Sequence, residues 1–151
     1  MTYTVDIEPD CDMGAPWDEH DGHGVVSEWT RRAKRPGEVI IAEDCGSYRY
    51  YDVQATQEIA LRDGWSAEPH DVGTRRERAA RAVQADLERM RAWYNDEWGW
   101  VGVVVTDDET GESESLWGIE SDLGEYLEEV AEELRQELEA RKSVFRSVRA
   151  A

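Results

Sequence analysis

Trp98-Gly99-Trp100-Val101-Gly102-Val103-Val104-Val105-Thr106, then Asp107-Asp108-Glu109-Thr110-Gly111-Glu112, then Ser113-Glu114-Ser115-Leu116-Trp117-Gly118-Ile119, is the stretch on which the fold turns. Its outer parts are rich in β-branched and aromatic residues, which suit a pleated, half-buried surface, while the polar, glycine-containing centre has turn chemistry. The pattern is that of an antiparallel hairpin. Side chains alternate across a strand, so Trp98 and Trp100 fall on one side, and Trp117 of the partner strand is expected to stack against them.

Working outward, Leu123, Tyr126, Leu127, Val130, Leu134 and Leu138 recur at helical spacing and predict a helix over 121–142 with Ser121 as its N-cap. Upstream, Thr74-Arg75-Arg76-Glu77 has the spacing of a capping box and precedes a second periodic run through Ala79, Ala80, Val83, Leu87, Met90 and Tyr94. Arg75, Arg76, Arg78 and Arg81 oppose the dipole at that helix start, so an acidic group is expected nearby. Earlier still, Glu38 to Glu43 and Tyr48 to Tyr51 flank the turn Asp44-Cys45-Gly46-Ser47 and predict another hairpin. Asp52 then caps a short helix that stops at Asp63-Gly64. Thr2 to Ile7 predicts a first strand, residues 9–24 a long irregular loop carrying Trp17, and Val25 to Thr30 a short strand. This order contains no regular βαβ repeat. It predicts an α+β fold, with two antiparallel hairpins forming a mostly antiparallel sheet packed with about three helices in a single domain over 1–151.

The chain has 151 residues, of which 40% are hydrophobic and seven are Trp, so it has the material for a core despite 34% charged residues. It has no apolar run of about 18 residues and no basic-then-apolar start, which predicts a cytoplasmic protein. Cys11 and Cys45 are too few for a disulfide framework and are expected as free thiols. Net charge is −18, from 35 acidic and 17 basic residues. Residues 1–30 hold eight acids and no Lys or Arg, residues 31–91 eleven acids and twelve bases, and residues 92–151 sixteen acids and five bases. Both ends are anionic around a balanced middle. Such a field repels nucleic acid and membrane surfaces and attracts basic proteins.

Three groups of residues are candidates for function. Asp122, Glu125, Glu128, Glu129, Glu132 and Glu133 on the last helix, with Asp18, Glu19 and Asp21 of the N-terminal loop, form a candidate partner-binding set. Carboxylates three and four apart on a helix lie about 5–6 Å from each other, close to phosphate spacing; the plainer explanation is a solvated face that aids solubility. Trp17, His23, Trp98, Trp100 and Trp117 form a candidate ligand pocket, against which stands simple core packing. Cys11-x8-His20-x2-His23 matches no standard zinc spacing, so no metal and no cofactor is expected. Phosphate-loop, Gly-x-Ser-x-Gly and HExxH motifs are absent, and nothing singles out a catalytic residue among 35 carboxylates.

The stretch Pro16-Trp17-x-Glu19-x-Asp21-Gly22-His23-Gly24-x-Val26-Ser27-x-Trp29, with Lys34-Arg35-Pro36-Gly37-Glu38, Arg49-Tyr50-Tyr51-Asp52, Trp93 to Val105 and Ser115-Leu116-Trp117-Gly118-Ile119-Glu120-Ser121-Asp122, resembles uncharacterised small proteins of tailed bacteriophages and prophages. The resemblance spans most of the chain and implies a setting, the host cell, and no site. Acidity in that setting is similar in kind to DNA-mimicking inhibitors of restriction or CRISPR complexes. The expected function is therefore non-enzymatic binding to a basic host protein or nucleoprotein complex. The alternatives are a small-ligand or peptide-binding domain built on the Trp-rich hairpin and the His20–His23 loop, and a metal-dependent hydrolase using His23 and neighbouring acids.

Overall fold

In the computed structural model, which describes residues 2–150, the elements run β1 (Tyr3–Pro9), α1 (Pro16–Glu19), β2 (Val25–Val26), β3 (Glu38–Asp44), β4 (Ser47–Asp52), α2 (Val53–Asp63), α3 (Arg75–Tyr94), β5 (Trp100–Asp107), β6 (Ser113–Glu120) and α4 (Gly124–Ala150). This is an α+β fold with two three-stranded antiparallel sheets, ordered β1-β5-β6 and β2-β4-β3. Each hairpin legible in the sequence recruits a third strand and becomes the base of its own sheet. The chain correspondingly divides into two compact units, one made of the N-terminal segment through Met13 together with Trp98 onward, the other of Gly14–Glu97.

In the first unit β5 is the central strand, paired with β1 from Tyr3↔Asp107 to Pro9↔Val101 and with β6 from Thr106↔Ser113 to Trp100↔Glu120. Val103, Val105 and Ile119 face α4, whose Leu127, Val130, Leu134 and Leu138 complete the core. Each such side chain contributes about 1.5–3 kcal/mol of transfer free energy when fully buried. The register of β5 against β6 shifts between Val101 and Val103, and this irregularity decides the place of Trp117. Its indole lies across Gly102, where a Cβ would sit 2.2 Å from ring atom Cε3, and its Nε1–H donates to Ser115 Oγ at 3.0 Å. Trp98 and Trp100 are buried and meet edge to face at 5.3 Å.

The last helix differs from its expected span of 121–142 at both ends. Ser121 extends the sheet instead of capping: its N–H donates to Gly99 O, and its Oγ accepts from the Gly99 N–H at 2.9 Å. The helix therefore starts at Gly124. At the other end the apolar period continues through Phe145 and Val148, and the helix runs to Ala150. A helix of 27 residues is about 40 Å long, whereas an eight-residue strand spans about 27 Å. The last two turns of α4 thus overhang the sheet, leaving Val144, Phe145 and Val148 65–72% exposed. Just before the overhang α4 is pinned: Tyr3 Oη donates to Glu139, Arg141 pairs with Glu114 at 2.6 Å, and the largely buried Lys142 ammonium meets Asp107 and Glu109. The ion pair holds Asp107 below the usual carboxylate range and Lys142 above the usual amine range.

In the second unit β3 and β4 join through the two-residue turn Cys45-Gly46, both at positive φ (48° and 82°), as a tight hairpin of right-twisted strands requires. Asp52 caps α2 by accepting from Ala55 N–H at 2.9 Å, and Gly64 ends it in the left-handed region at φ 68°. Thr74 Oγ1 accepts from Glu77 N–H at the start of α3. The arginines there find two kinds of negative partner. Arg81 pairs with Asp71 at 2.8 Å, and Arg75 donates to the carbonyl oxygens of Leu61 and Arg62 at the negative end of α2.

Residues 9–24 are less irregular than their Gly, Pro and Asp content suggests. Pro9 belongs to β1, and Pro16 starts a single helical turn because its fixed φ suits the first helical position. Tertiary contact holds that turn, with Trp17 stacked on Tyr94 and edge-on to Trp93.

Glu38 is buried and takes a bidentate pair of bonds from Arg32, both at 2.7 Å, plus the Arg35 backbone N–H. The Arg32 bonds chiefly hold its carboxyl down to about 2. Because the unfolded carboxyl binds a proton at higher pH than the folded one, this stabilisation is complete above the ordinary glutamate range and is lost as pH falls toward 2. Acid unfolding of Glu38→Gln is expected to be less steep than that of the parent between about pH 4.5 and 2. Circular dichroism against pH checks this, and identical acid limbs would contradict it.

Candidate functional site

The first unit carries 18 acidic and five basic residues, the second 17 acidic and 12 basic. The pairing of β1 with β5 thus brings four of the eight N-terminal acids, Asp6, Glu8, Asp10 and Asp12, into one unit with the anionic C-terminal part of the chain. Four of the five bases lie within residues 141–150. The rest of that unit has Arg135 as its single positive side chain.

On α4 the helical period does the sorting. Leu127, Val130, Leu134 and Leu138 face the sheet, and the opposite side presents Glu125, Glu128, Glu129, Glu132 and Glu133, which alone line one shallow recess and are all exposed. Arg135 forks onto Glu132 at 2.6 and 2.9 Å and, with Gln136, holds its carboxyl down to about 2. Among the described residues no ion pair engages Glu125, Glu128, Glu129 or Glu133. Asp122 is exposed in the turn before α4. Five carboxylates in nine residues give one per about 3 Å of helix axis, against one phosphate per about 3.4 Å along one nucleic-acid strand. The ridge therefore matches a strand in linear charge density.

Beside the ridge, β1 and α4 enclose an open groove of about 490 Å³. Its floor is apolar, from Val5, Ile7, Leu127 and Ala131, and its rim carries Glu128 and the paired Glu132 and Arg135. Val5 and Ile7 alternate onto this side of an edge strand and remain 50% and 54% exposed. Sequence reasoning missed this groove, although the Val5/Ile7 alternation was its one visible sign.

Asp18, Glu19 and Asp21 belong to the second unit. Glu19 is engaged locally, accepting from Gly14 N–H at 2.8 Å. The candidate pocket residues divide in the same way, with Trp17 and His23 in the second unit and Trp98, Trp100 and Trp117 in the first.

His23 is held by a residue that the sequence did not single out. Asp86 of α3 takes His23 Nδ1 at 2.8 Å on one oxygen, and the Gly24 N–H (2.8 Å) and Tyr51 Oη–H (2.7 Å) on the other. Tyr51 is fully buried, and burial first, then the carboxylate, pushes its phenol well above the usual range. Gly24 permits this approach, since a Cβ there would lie 2.3 Å from Tyr51 Oη. The three donors converge on one carboxylate and tie the loop before β2 to α3. Beside them His23, Trp65, Ser66, Asp86 and Arg89 line a recess of about 420 Å³.

A second aromatic group surrounds Arg49, whose guanidinium lies 5.4 Å from the Trp17 ring and 5.7 Å from the Trp29 ring. Among the described residues no group of three or more His, Cys, Asp or Glu is placed to hold a metal ion, and no helix is long and apolar enough to cross a membrane. Cys11 and Cys45 are exposed free thiols.

No protein-family model, no curated protein and no solved structure matches the chain.

Proposed function

We propose that this chain is a non-enzymatic accessory protein of a phage or prophage that occupies a basic, nucleic-acid-binding surface of a host defence or DNA-processing protein. The observation that carries this reading is the row of exposed carboxylates on α4, four of them without a basic partner among the described residues. Like charges at these spacings weaken a helix, so solubility alone is a poor reason to crowd them on one face while 12 of the 17 basic residues lie in the other unit. The carboxylates stand in for phosphates against Arg and Lys of the partner, and the surrounding field speeds encounter.

The test is a pull-down from host lysate at low and high salt, followed by titration of the captured partner. Capture of a nucleic-acid-binding protein is expected, with affinity falling steeply with salt. Replacing Glu128, Glu129, Glu132 and Glu133 together by Gln is expected to weaken binding by about 100-fold or more, since each contributes a charge-assisted contact. Unchanged affinity in the Gln variant would overturn the proposal. A salt-insensitive response of Trp fluorescence to a nucleotide or other small molecule, with no protein captured, would favour the ligand-binding alternative instead.

A further inference from the structure

We infer that two copies of this chain form a symmetric dimer in which the overhanging end of α4 from each copy docks in the groove between β1 and α4 of the other. The overhang is an unfinished core element. Leu127, Val130, Leu134 and Leu138 lie on the sheet-facing stripe, and beyond Arg141 and Lys142 the helical period brings in Phe145 and Val148; the sheet covers only the first four, and Val144, Phe145 and Val148 stay exposed. Such contiguous apolar surface on a helix marks a contact site.

Charge selects the occupant. Residues 141–150 hold four bases and no acid. Arg141 and Lys142 are already paired with Glu114, Asp107 and Glu109, whereas Arg146 and Arg149 have no acidic partner among the described residues. Arg149 lies over the Phe145 ring at 5.5 Å, next to the apolar stripe. The groove has an apolar floor of Val5, Ile7, Leu127 and Ala131 with Glu128, Glu132 and Arg135 on its rim; Arg135 is taken up by Glu132, which leaves Glu128 as the carboxylate open to an incoming cation. Elsewhere the strongly anionic first unit repels the first unit of a second copy, so its basic tail is the part suited to that unit's groove.

Size agrees as well. Ten helical residues measure about 15 Å, and the stretch of α4 along the groove, Gly124 to Arg135, measures about 17 Å. Tail and groove occupy opposite ends of the same helix, so antiparallel apposition of two α4 helices makes both contacts at once. The result is an isologous interface that closes on itself. Glu125, Glu129 and Glu133 line the ridge and not the groove, so the dimer leaves them facing solvent.

Sedimentation velocity on the full chain tests this at several concentrations and at low and high salt. A reversible dimer is expected, weakened by salt. Phe145→Glu in the tail and Ile7→Arg in the groove are each expected to raise the dimer dissociation constant about tenfold or more, with circular dichroism unchanged because both side chains are exposed. An equimolar mixture of the two variants retains one intact contact, the tail of the Ile7→Arg chain in the groove of the Phe145→Glu chain, and is expected to associate more strongly than either variant alone. A monomer at every concentration, a dimer indifferent to both substitutions, or a mixture no stronger than its parts would overturn the inference. If the parent stays monomeric and a basic helical peptide from elsewhere fills the groove, the second copy is likewise excluded as the occupant.

Discussion

Asp86→Ala is expected to destabilise the Gly14–Glu97 unit by roughly 2–4 kcal/mol, measured by urea unfolding. The substitution removes one carboxylate and strands three donors: the Gly24 N–H, the Tyr51 hydroxyl and His23 Nδ1. They do not suffer equally. His23 keeps about a fifth of its side chain exposed and can turn to water, while Tyr51 has no exposure and its hydroxyl is left buried. An unsatisfied buried hydroxyl costs about 1–3 kcal/mol, and loss of bonds to a charged acceptor adds about as much. Asp86→Asn keeps one acceptor oxygen and is expected to cost about half as much. His23→Ala is expected to cost about 1 kcal/mol. This ordering distinguishes an anchoring network from a catalytic pair, because a catalytic His23 would show its loss in turnover and not in the unfolding midpoint. A loss below about 1 kcal/mol in Asp86→Ala would show that the network does not hold the loop.

The same network marks the boundary of what the sequence made legible. Caps and turns depend on neighbours within a few residues, and Asp52, Gly64, Thr74 and the Cys45-Gly46 turn stand where their chemistry placed them. The acidic face of α4 was readable for the same reason, since a period of 3.6 residues sorts Glu from Leu without knowledge of the rest of the chain. Asp86 lies 63 residues from His23, and nothing local in α3 distinguishes it from any other helical acid. Trp117 was expected over Trp98 and Trp100 by simple alternation. Its indole instead lies across Gly102, where β6 carries one extra residue opposite β5, and such irregularities are set by the packing of both strands. Ser121 has the chemistry of an N-cap and the position of a sheet residue. The pairing with Gly99 wins because it satisfies three backbone groups at the end of the ladder, the Ser121 N–H and both the N–H and the carbonyl of Gly99. The assignment of Asp18, Glu19 and Asp21 to a unit different from that of α4 follows from where β1 ends and which strand it joins, 96 residues away at the Ile7–Val103 pair of the sheet. No spacing rule carries that information.

Leu138→Ala and Phe145→Ala remove large apolar side chains from one helix only two turns apart, yet their expected costs differ several-fold. Leu138 is 1% exposed and packs in the core formed with Val103, Val105 and Ile119, so its truncation is expected to cost about 2–5 kcal/mol from lost transfer free energy and the cavity left behind. Phe145 is 68% exposed, and its loss from the dilute monomer is expected to change stability by no more than about 0.5 kcal/mol. Chemical denaturation at concentrations too low for association gives both numbers. The comparison separates two reasons for keeping an apolar residue. If Phe145→Ala were as costly as Leu138→Ala, the end of α4 would be part of the folding core and its exposure would need another explanation. If it is nearly neutral, then Val144, Phe145 and Val148 contribute little to the fold of the single chain. Their cost, an exposed apolar stripe on an otherwise charged helix, then has to be offset by something that covers them. The continuity of the stripe with the core, and the reversal of charge at the point where the sheet ends, locate that covering contact on the helix itself rather than on the sheet.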